Sequence, residues 1–219
     1  MQTFVFADLA GFTALTEAHG DEHAADLAAE FRDTVRQLLP AGGELVKMIG
    51  DAAMVRCDDA GQAIELGLRV VRKVGSQPGF PIARVGLHTG PAVRRDGDWF
   101  GSVVNLAARI SGRASGGEVL LSDSTRRAAG EAEGIELVDR GRIELRNVRD
   151  PVHVFAARIA GPRDERGLAV DPVCRMVVDP SRSAGRLVHD QVAYEFCSLR
   201  CAGEFARAPD RYAGSADAR

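Results

Sequence analysis

An α/β (α+β) domain with helices packed on a mixed sheet, followed by a small cysteine-bearing module, is the fold this sequence predicts, on three observations. Apolar runs of strand length alternate with stretches of helical periodicity from residue 3 to residue 159. A polar stretch bounded by glycine and proline, AGPRDERG at 160–167, then interrupts the pattern. Three of the four cysteines, Cys174, Cys197 and Cys201, lie beyond it. The organisation that follows is a domain over 1–160, a linker over 161–167 and a module over 168–214.

In chain order, residues 3–8 read as a strand that ends in a glycine turn. Leu27, Phe31, Val35 and Leu38 then recur at helical spacing until Pro40 stops the helix. Residues 44–49 and 52–57 read as two strands joined tightly at Gly50-Asp51, and Ile64, Leu68, Val71 and Val74 mark a second amphipathic helix. PIARVGLHTG is a further strand, 101–112 a third helix, EVLLS a strand, 122–129 a short helix, and a hairpin-like pair closes on PVHVFAARI. The tail after Ala213 reads as frayed.

At 219 residues, 45% hydrophobic, the chain can bury a sizeable core. Its net charge is -3 and its basic residues are scattered among acids, so no nucleic-acid partner is expected. TFVFADLAGFTAL has no positive n-region or cleavage site, and no apolar run reaches membrane-spanning length, so a cytoplasmic protein without a membrane partner is expected. The cysteine spacing is not that of a secreted disulfide scaffold, which leaves thiol or metal chemistry.

Charged residues in apolar strands are the first candidates for chemistry. The chain has two lysines, and Lys47 stands four residues from Asp51 in the strand-like VKMIGDAAM, where a charge needs a partner, a metal or a ligand. Asp8 ends the first strand. A sheet that sets it beside Asp51 pairs two carboxylates, a ready site for hard cations. Gly11, Phe12 and Thr13 open a helix whose amides and dipole favour an anion. Asn105 and Arg109, at i and i+4, share a helix face on which a guanidinium suits a phosphoryl group.

Taken singly, each has a plainer role. Asp8 and Asp51 read as a strand-end cap and a turn residue, Asp98 as a turn residue, and Lys47 as a chain that reaches back to solvent. His19 and His23 have helical spacing, but no glutamate completes a zincin motif, and a solvated face is the expectation. His88 reads as packed core and Cys57 as a small buried hydrophobe.

FADLAGFTAL, VKMIGD, VGLHTGP and DWFGSVVNLAARI occur in the order found in the class III nucleotidyl cyclases, and residues 3–157 resemble that family's catalytic domain. No Walker-type loop is present. The resemblance implies a ferredoxin-like domain working as a head-to-tail homodimer, with active sites shared across the interface. It implies that Asp8, Leu9 and Asp51 hold two Mg²⁺ or Mn²⁺ ions. Lys47 and Asp98 would hold the purine from the opposite subunit, with Gly11, Phe12 and Thr13 also on the substrate. Asn105 and Arg109 would act on the ribose and α-phosphate. The donor-only Lys47 and the acceptor Asp98 match N1 and the exocyclic amine of adenine, whereas the family's guanylate cyclases use a glutamate and a smaller residue. ATP is therefore the expected substrate and cyclic AMP the product. A catalytically silent nucleotide-binding or dimerisation scaffold is the alternative. Where the family often has leucine-lysine-glycine, this chain has Leu145, Arg146 and Asn147, which keeps the charge but not its shape.

DPVCRM and AYEFCSLRCAGEFARAPDRY resemble the YHS domain, which implies a metal-associated module; Arg175 stands where the typical motif has glycine. Ser198 is a good helix N-cap, so Cys197 and Cys201 can face one point with Cys174, a set suited to Zn, Cu or Fe, with His189 or solvent completing it. The other reading is a buried or redox-labile thiol pair. The short linker predicts that the module contacts the catalytic domain and adjusts its activity with metal or redox state.

Overall fold

The computed structural model describes residues 1–132, 134–160 and 167–213. The first half is β1 (Gln2–Leu9), α1 (Phe12–His19), α2 (Asp21–Leu38), β2 (Gly43–Ile49), β3 (Ala52–Cys57), α3 (Ala60–Gly75) and β4 (Ala83–Gly90). Its strands lie in the order β2-β3-β1-β4, each antiparallel to its neighbour, which is the ferredoxin-like arrangement. There follow β5 (Val93–Arg95), β6 (Asp98–Phe100), α4 (Ser102–Ser111), β7 (Val119–Ser122), α5 (Asp123–Ala129), β8 (Ile135–Ile143) and β9 (Val152–Ile159). β7 adds parallel to β4, and β9 and β8 extend the sheet to seven strands.

Alternation along β1 sorts its side chains between two buried faces. Val5, Ala7 and Leu9 pack with Leu27, Phe31 and Val35 of α2 and Ile64 of α3. Phe4 and Phe6 pack with Met54 and with Val103 and Ala107 of α4. α4 comes so close to β4 that a Cβ on Gly86 would lie 2.0 Å from the Ser111 nitrogen.

Two elements depart from the sequence reading. The helical stretch after the first glycine turn is two helices, because Gly20 adopts φ 89°, closes α1 on the Thr16 carbonyl and turns the chain into α2. RRDGDWFG is a ribbon: Arg95 pairs with Asp98 across a two-residue Asp96-Gly97 loop, both at positive φ, which is type I′ hairpin chemistry. Asp98 thus opens a strand and is not a turn residue.

Beyond residue 166 come β10 (Ala169–Val170), β11 (Val177–Val178), β12 (Gly185–His189), β13 (Val192–Phe196), α6 (Leu199–Arg207) and α7 (Pro209–Ala213). Phe205 of α6 is packed among Tyr194, Phe196 and Tyr212. The expected contact with the larger domain is present. Ile82 N–H donates to the Arg175 carbonyl at 3.1 Å and Val177 N–H to that of Phe80 at 2.8 Å. Val173, Cys174, Met176, Phe196 and Cys201 join the same buried cluster as Leu15 and Phe80. Residues 161–166, most of the expected linker, and the tail from 214 lie outside the described residues. Among the described residues no helix is long and apolar enough to cross a membrane.

Candidate active site and thiol centre

Asp8 shares the α4 face of β1 with Phe4 and Phe6, and its partner in the β1–β4 register is Arg84. The Arg84 Nε and Nη2 donate to Asp8 Oδ2 at 2.9 and 2.5 Å. Asp51 follows Gly50, whose φ of 62° makes the turn between β2 and β3. Burial pushes Asp51 up to about 7, helped by a side-chain hydrogen bond to Asp8 and by the Asp8 charge. The two carboxylates therefore meet, and they form an oxygen donor set in which a hard cation can take the place of a shared proton. Leu9 is 1% exposed with its side chain in the core, so it offers such a site only its backbone. Arg84 was missed in the sequence, where its signal was one charge in the apolar run PIARVGLHTG.

Gly11, at φ 72° and without a side-chain cap, leads into α1; Gly11 and Thr13 are exposed while Phe12 leans on the core. The first-turn amides thus open at the edge that carries Asp8.

Lys47 donates to Asp98 Oδ2, and Asp98 Oδ1 accepts the Trp99 N–H at 2.8 Å. Lys47, then the Trp99 amide, holds the Asp98 carboxyl below its usual range. Trp99 anchors the ribbon, edge-on to Phe4 and beneath the guanidinium groups of Arg56 and Arg94, while Arg94 pairs with Glu44 on β2. Ile49 on β2 and Val93 and Phe100 on the ribbon are each about half exposed, an apolar rim beside the Lys47–Asp98 pair.

On α4, Val103, Ala107 and Ile110 face inward, leaving Asn105 exposed and Arg109 half-buried. Among the described residues neither makes a side-chain hydrogen bond or ion pair, so both are available to a ligand. Arg146 is exposed, and Asn147 takes φ 58°, a left-handed conformation that asparagine tolerates in place of glycine.

His88 bonds through Nδ1 to Ser122 Oγ at 2.7 Å and Ser124 Oγ at 3.1 Å, and burial pushes it down to about 4. With its folded value below the unfolded one, the neutral ring contributes stability above about pH 6.5 that is lost as pH falls toward 4. Urea unfolding between pH 7 and 4 is expected to show a shallower acid loss in His88→Asn than in the parent; parallel curves would contradict this.

Residues 2–157 match the adenylate and guanylate cyclase catalytic domain. The chain belongs to that family. A pH-sensitive adenylate cyclase of Mycobacterium tuberculosis is 39% identical over 168 residues, covering 75% of this chain and 42% of that protein. The adenylyl cyclase CyaB from P. aeruginosa, at 25% identity, superposes with a TM-score of 0.61 over 74% of this chain and 95% of its own. A monomeric-state structure from a study of Trypanosoma brucei adenylate cyclases, at 24% identity, reaches 0.67 over 74% of this chain and 90% of its own, which bears on the fold alone. The chain spans less than half the length of the curated relatives it matches.

Outside the matched segment the cyclase chain gathers three free thiols. Cys174 Sγ lies 3.4 Å from Cys197 Sγ, which is 3.8 Å from Cys201 Sγ. Ser198 caps α6 by accepting the Cys201 N–H, as the sequence led one to expect. Hydrogen bonds to Cys174 and Cys197 hold Cys201 well below the usual thiol range, while those to Cys197 and Cys201 push Cys174 up.

Two histidine expectations are corrected here. His189 does not complete the set; its Nε2 faces Asp210 Oδ1 at 3.2 Å. His19 is not on a solvated face: it ends α1, with Nε2 3.4 Å from Cys197 Sγ, while His23 sits in α2 beyond the Gly20 break. The i, i+4 spacing of the two histidines did not mean one helix, and nothing local in the sequence linked His19 to a thiol 178 residues away.

Proposed function

We propose that this chain is an adenylate cyclase that converts ATP to 3′,5′-cyclic AMP and pyrophosphate at a homodimer interface in the cytoplasm. The observation that carries the reading is the Lys47–Asp98 pair, a donor on β2 and an acceptor on the ribbon held side by side. They complement the N1 acceptor and amine donor of adenine, and guanine reverses that order. The rim of Ile49, Val93 and Phe100 supports a second copy docking here. Two-fold symmetry would then bring Lys47 and Asp98 of one copy to the carboxylates of the other and make two sites.

In this reading Asp8 and Asp51 bind two Mg²⁺ or Mn²⁺ ions, with the Leu9 backbone beside them. Divalent cations bound there lower the pKa of the ribose 3′-hydroxyl and neutralise triphosphate charge. Arg84 orients Asp8 through its two hydrogen bonds. The amides of Gly11, Phe12 and Thr13 receive phosphate oxygens, and Asn105 aligns the ribose. Arg109 meets the charge that grows on the α-phosphate, where loss of one preorganised donor costs about 10² to 10³ in rate. The C-terminal segment acts as a YHS-like module that modulates this activity.

Assay of the purified protein with ATP or GTP and Mg²⁺ or Mn²⁺ tests the reading. Cyclic AMP is the expected product, and Lys47→Glu combined with Asp98→Ser is expected to lower the ATP-over-GTP preference by at least tenfold. No cyclic nucleotide from a confirmed dimer would replace it with the silent scaffold.

A further inference from the structure

The ligand atoms of His19, Cys174, Cys197 and Cys201 all lie within 4.8 Å of one another. We propose that they form a closed Cys₃His site for Zn²⁺ which clamps the C-terminal module onto α1, so that metal occupancy holds the substrate-facing start of that helix in its working position. The regulatory half of this inference rests on the cyclase reading; the metal half does not.

Distances, ligand types and burial all fit. Zn–S bonds near 2.3 Å and Zn–N bonds near 2.0 to 2.1 Å in a tetrahedron imply S···S edges of about 3.8 Å and S···N edges of about 3.6 Å. The observed separations of 3.4 Å and 3.8 Å between sulfurs and 3.4 Å from sulfur to imidazole come within about 0.4 Å of those values, and the remaining ones are under 4.8 Å. Three thiolates and one imidazole fill all four positions, which is the structural type of zinc site and leaves none open for chemistry. Cys174 and Cys201 are fully buried.

A second tier of contacts aims the ligands. Asp171, itself 0% exposed, accepts the Val173 N–H at 2.9 Å and the Cys174 N–H at 3.4 Å through Oδ1, and the Cys197 N–H at 2.9 Å through Oδ2. One carboxylate thereby fixes the two loops that carry the first two cysteines, and Ser198 fixes the third.

The path to the active site is short. His19 is the last residue of α1, and Gly11 and Phe12 are at its other end. There the module touches again: Arg175, next to Cys174, lies over Gly11, where an added Cβ would come within 2.6 Å of the Arg175 Cγ. Arg175 holds φ 63°, a conformation that L side chains disfavour, at the position where the YHS motif has glycine. The eight-residue helix behind the phosphate-facing amides is therefore gripped by the module at both ends.

Full-length protein, purified reduced and loaded with Zn²⁺, is expected to hold one ion per chain, and Co²⁺ in its place to give the visible bands of tetrahedral thiolate ligation. His19→Ala should weaken Zn²⁺ binding at least tenfold and His19→Cys restore it, which separates ligation from packing. Amide exchange over residues 11–19 should quicken when a Zn²⁺-selective chelator is added. With Mg²⁺ in excess, cyclic AMP formation should fall at least threefold in His19→Ala and recover in His19→Cys. The site is overturned if His19→Ala holds zinc as tightly as the parent, or if the reduced parent takes none. The clamp is overturned if exchange over 11–19 ignores the metal, or if His19→Ala matches an active parent. A parent that makes no cyclic AMP sinks the cyclase reading instead, and metal content with exchange then decides this one.

Discussion

Asp51→Ala is expected to abolish cyclic AMP formation, by roughly 10³-fold or more, while leaving the fold intact. The loss follows from chemistry. In the proposed reading one carboxylate would hold divalent cations less well than two, leaving triphosphate charge unneutralised, and even one preorganised group at such a centre is worth about 10² to 10³ in rate. The sign of the stability change sets this apart from simple unfolding. Burial and Asp8 hold the Asp51 carboxyl up to about 7, well above its unfolded range. Stability from its protonated form is present at low pH and is lost as pH rises through that value. Above pH 7, without added cations, the ionised side chain opposes folding and its removal should raise the melting temperature of the inactive variant. A variant both inactive and less stable at pH 8 would mean that Asp51 is structural.

Gly86→Ala should have the largest effect on the fold. Its new methyl would sit 2.0 Å from the Ser111 nitrogen and 2.5 Å from the Ser111 Cα, both backbone atoms of α4 that no rotamer change can move aside. Overpacking of this kind costs up to about 3 kcal/mol or more, which for a chain of this size lowers the melting temperature by roughly 6 °C or more. The helix that must retreat carries Asn105 and Arg109, and a shift of about 1 Å at reacting groups can cost 10²-fold in turnover. Gly90→Ala is the control, because the nearest atoms to its Cβ would be side-chain atoms, Val103 Cγ2 at 3.1 Å and His88 Nε2 at 3.9 Å among them. Equal melting temperatures for the two variants would refute the close-approach argument.

The seven-stranded core was largely legible because its strands are short apolar runs and its helices carry a strong periodic stripe, as in Ile64, Leu68 and Val74 of α3. Asp8, Asp51, Lys47 and Asp98 stood out for a related reason: a charge inside an apolar strand asks for a partner. The partners themselves were harder. Arg84 lies opposite Asp8 only because β1 and β4 are neighbours in a particular register, and one strand's pattern does not name its neighbour. The ribbon was signalled by Asp96-Gly97 but was too short to show alternation. His19 was misjudged because the thiol it meets is 178 residues away, and no local pattern announces that contact.

Ala10 bonds to Ile82, Ile82 to Arg175, and Val177 to Phe80, so backbone pairing runs from the end of β1 into the module. The buried cluster likewise mixes Leu15 and Phe80 with Val173, Met176 and Phe196. Although the sequence changes character near residue 160, among the described residues hydrogen bonds and buried contacts join the two sides of that boundary. The two parts are expected to melt together, and a chain cut at 160 is expected to bare the apolar residues that Val173, Met176 and Phe196 pack against. Loosening the module is therefore expected to cost the seven-stranded sheet folding free energy as well.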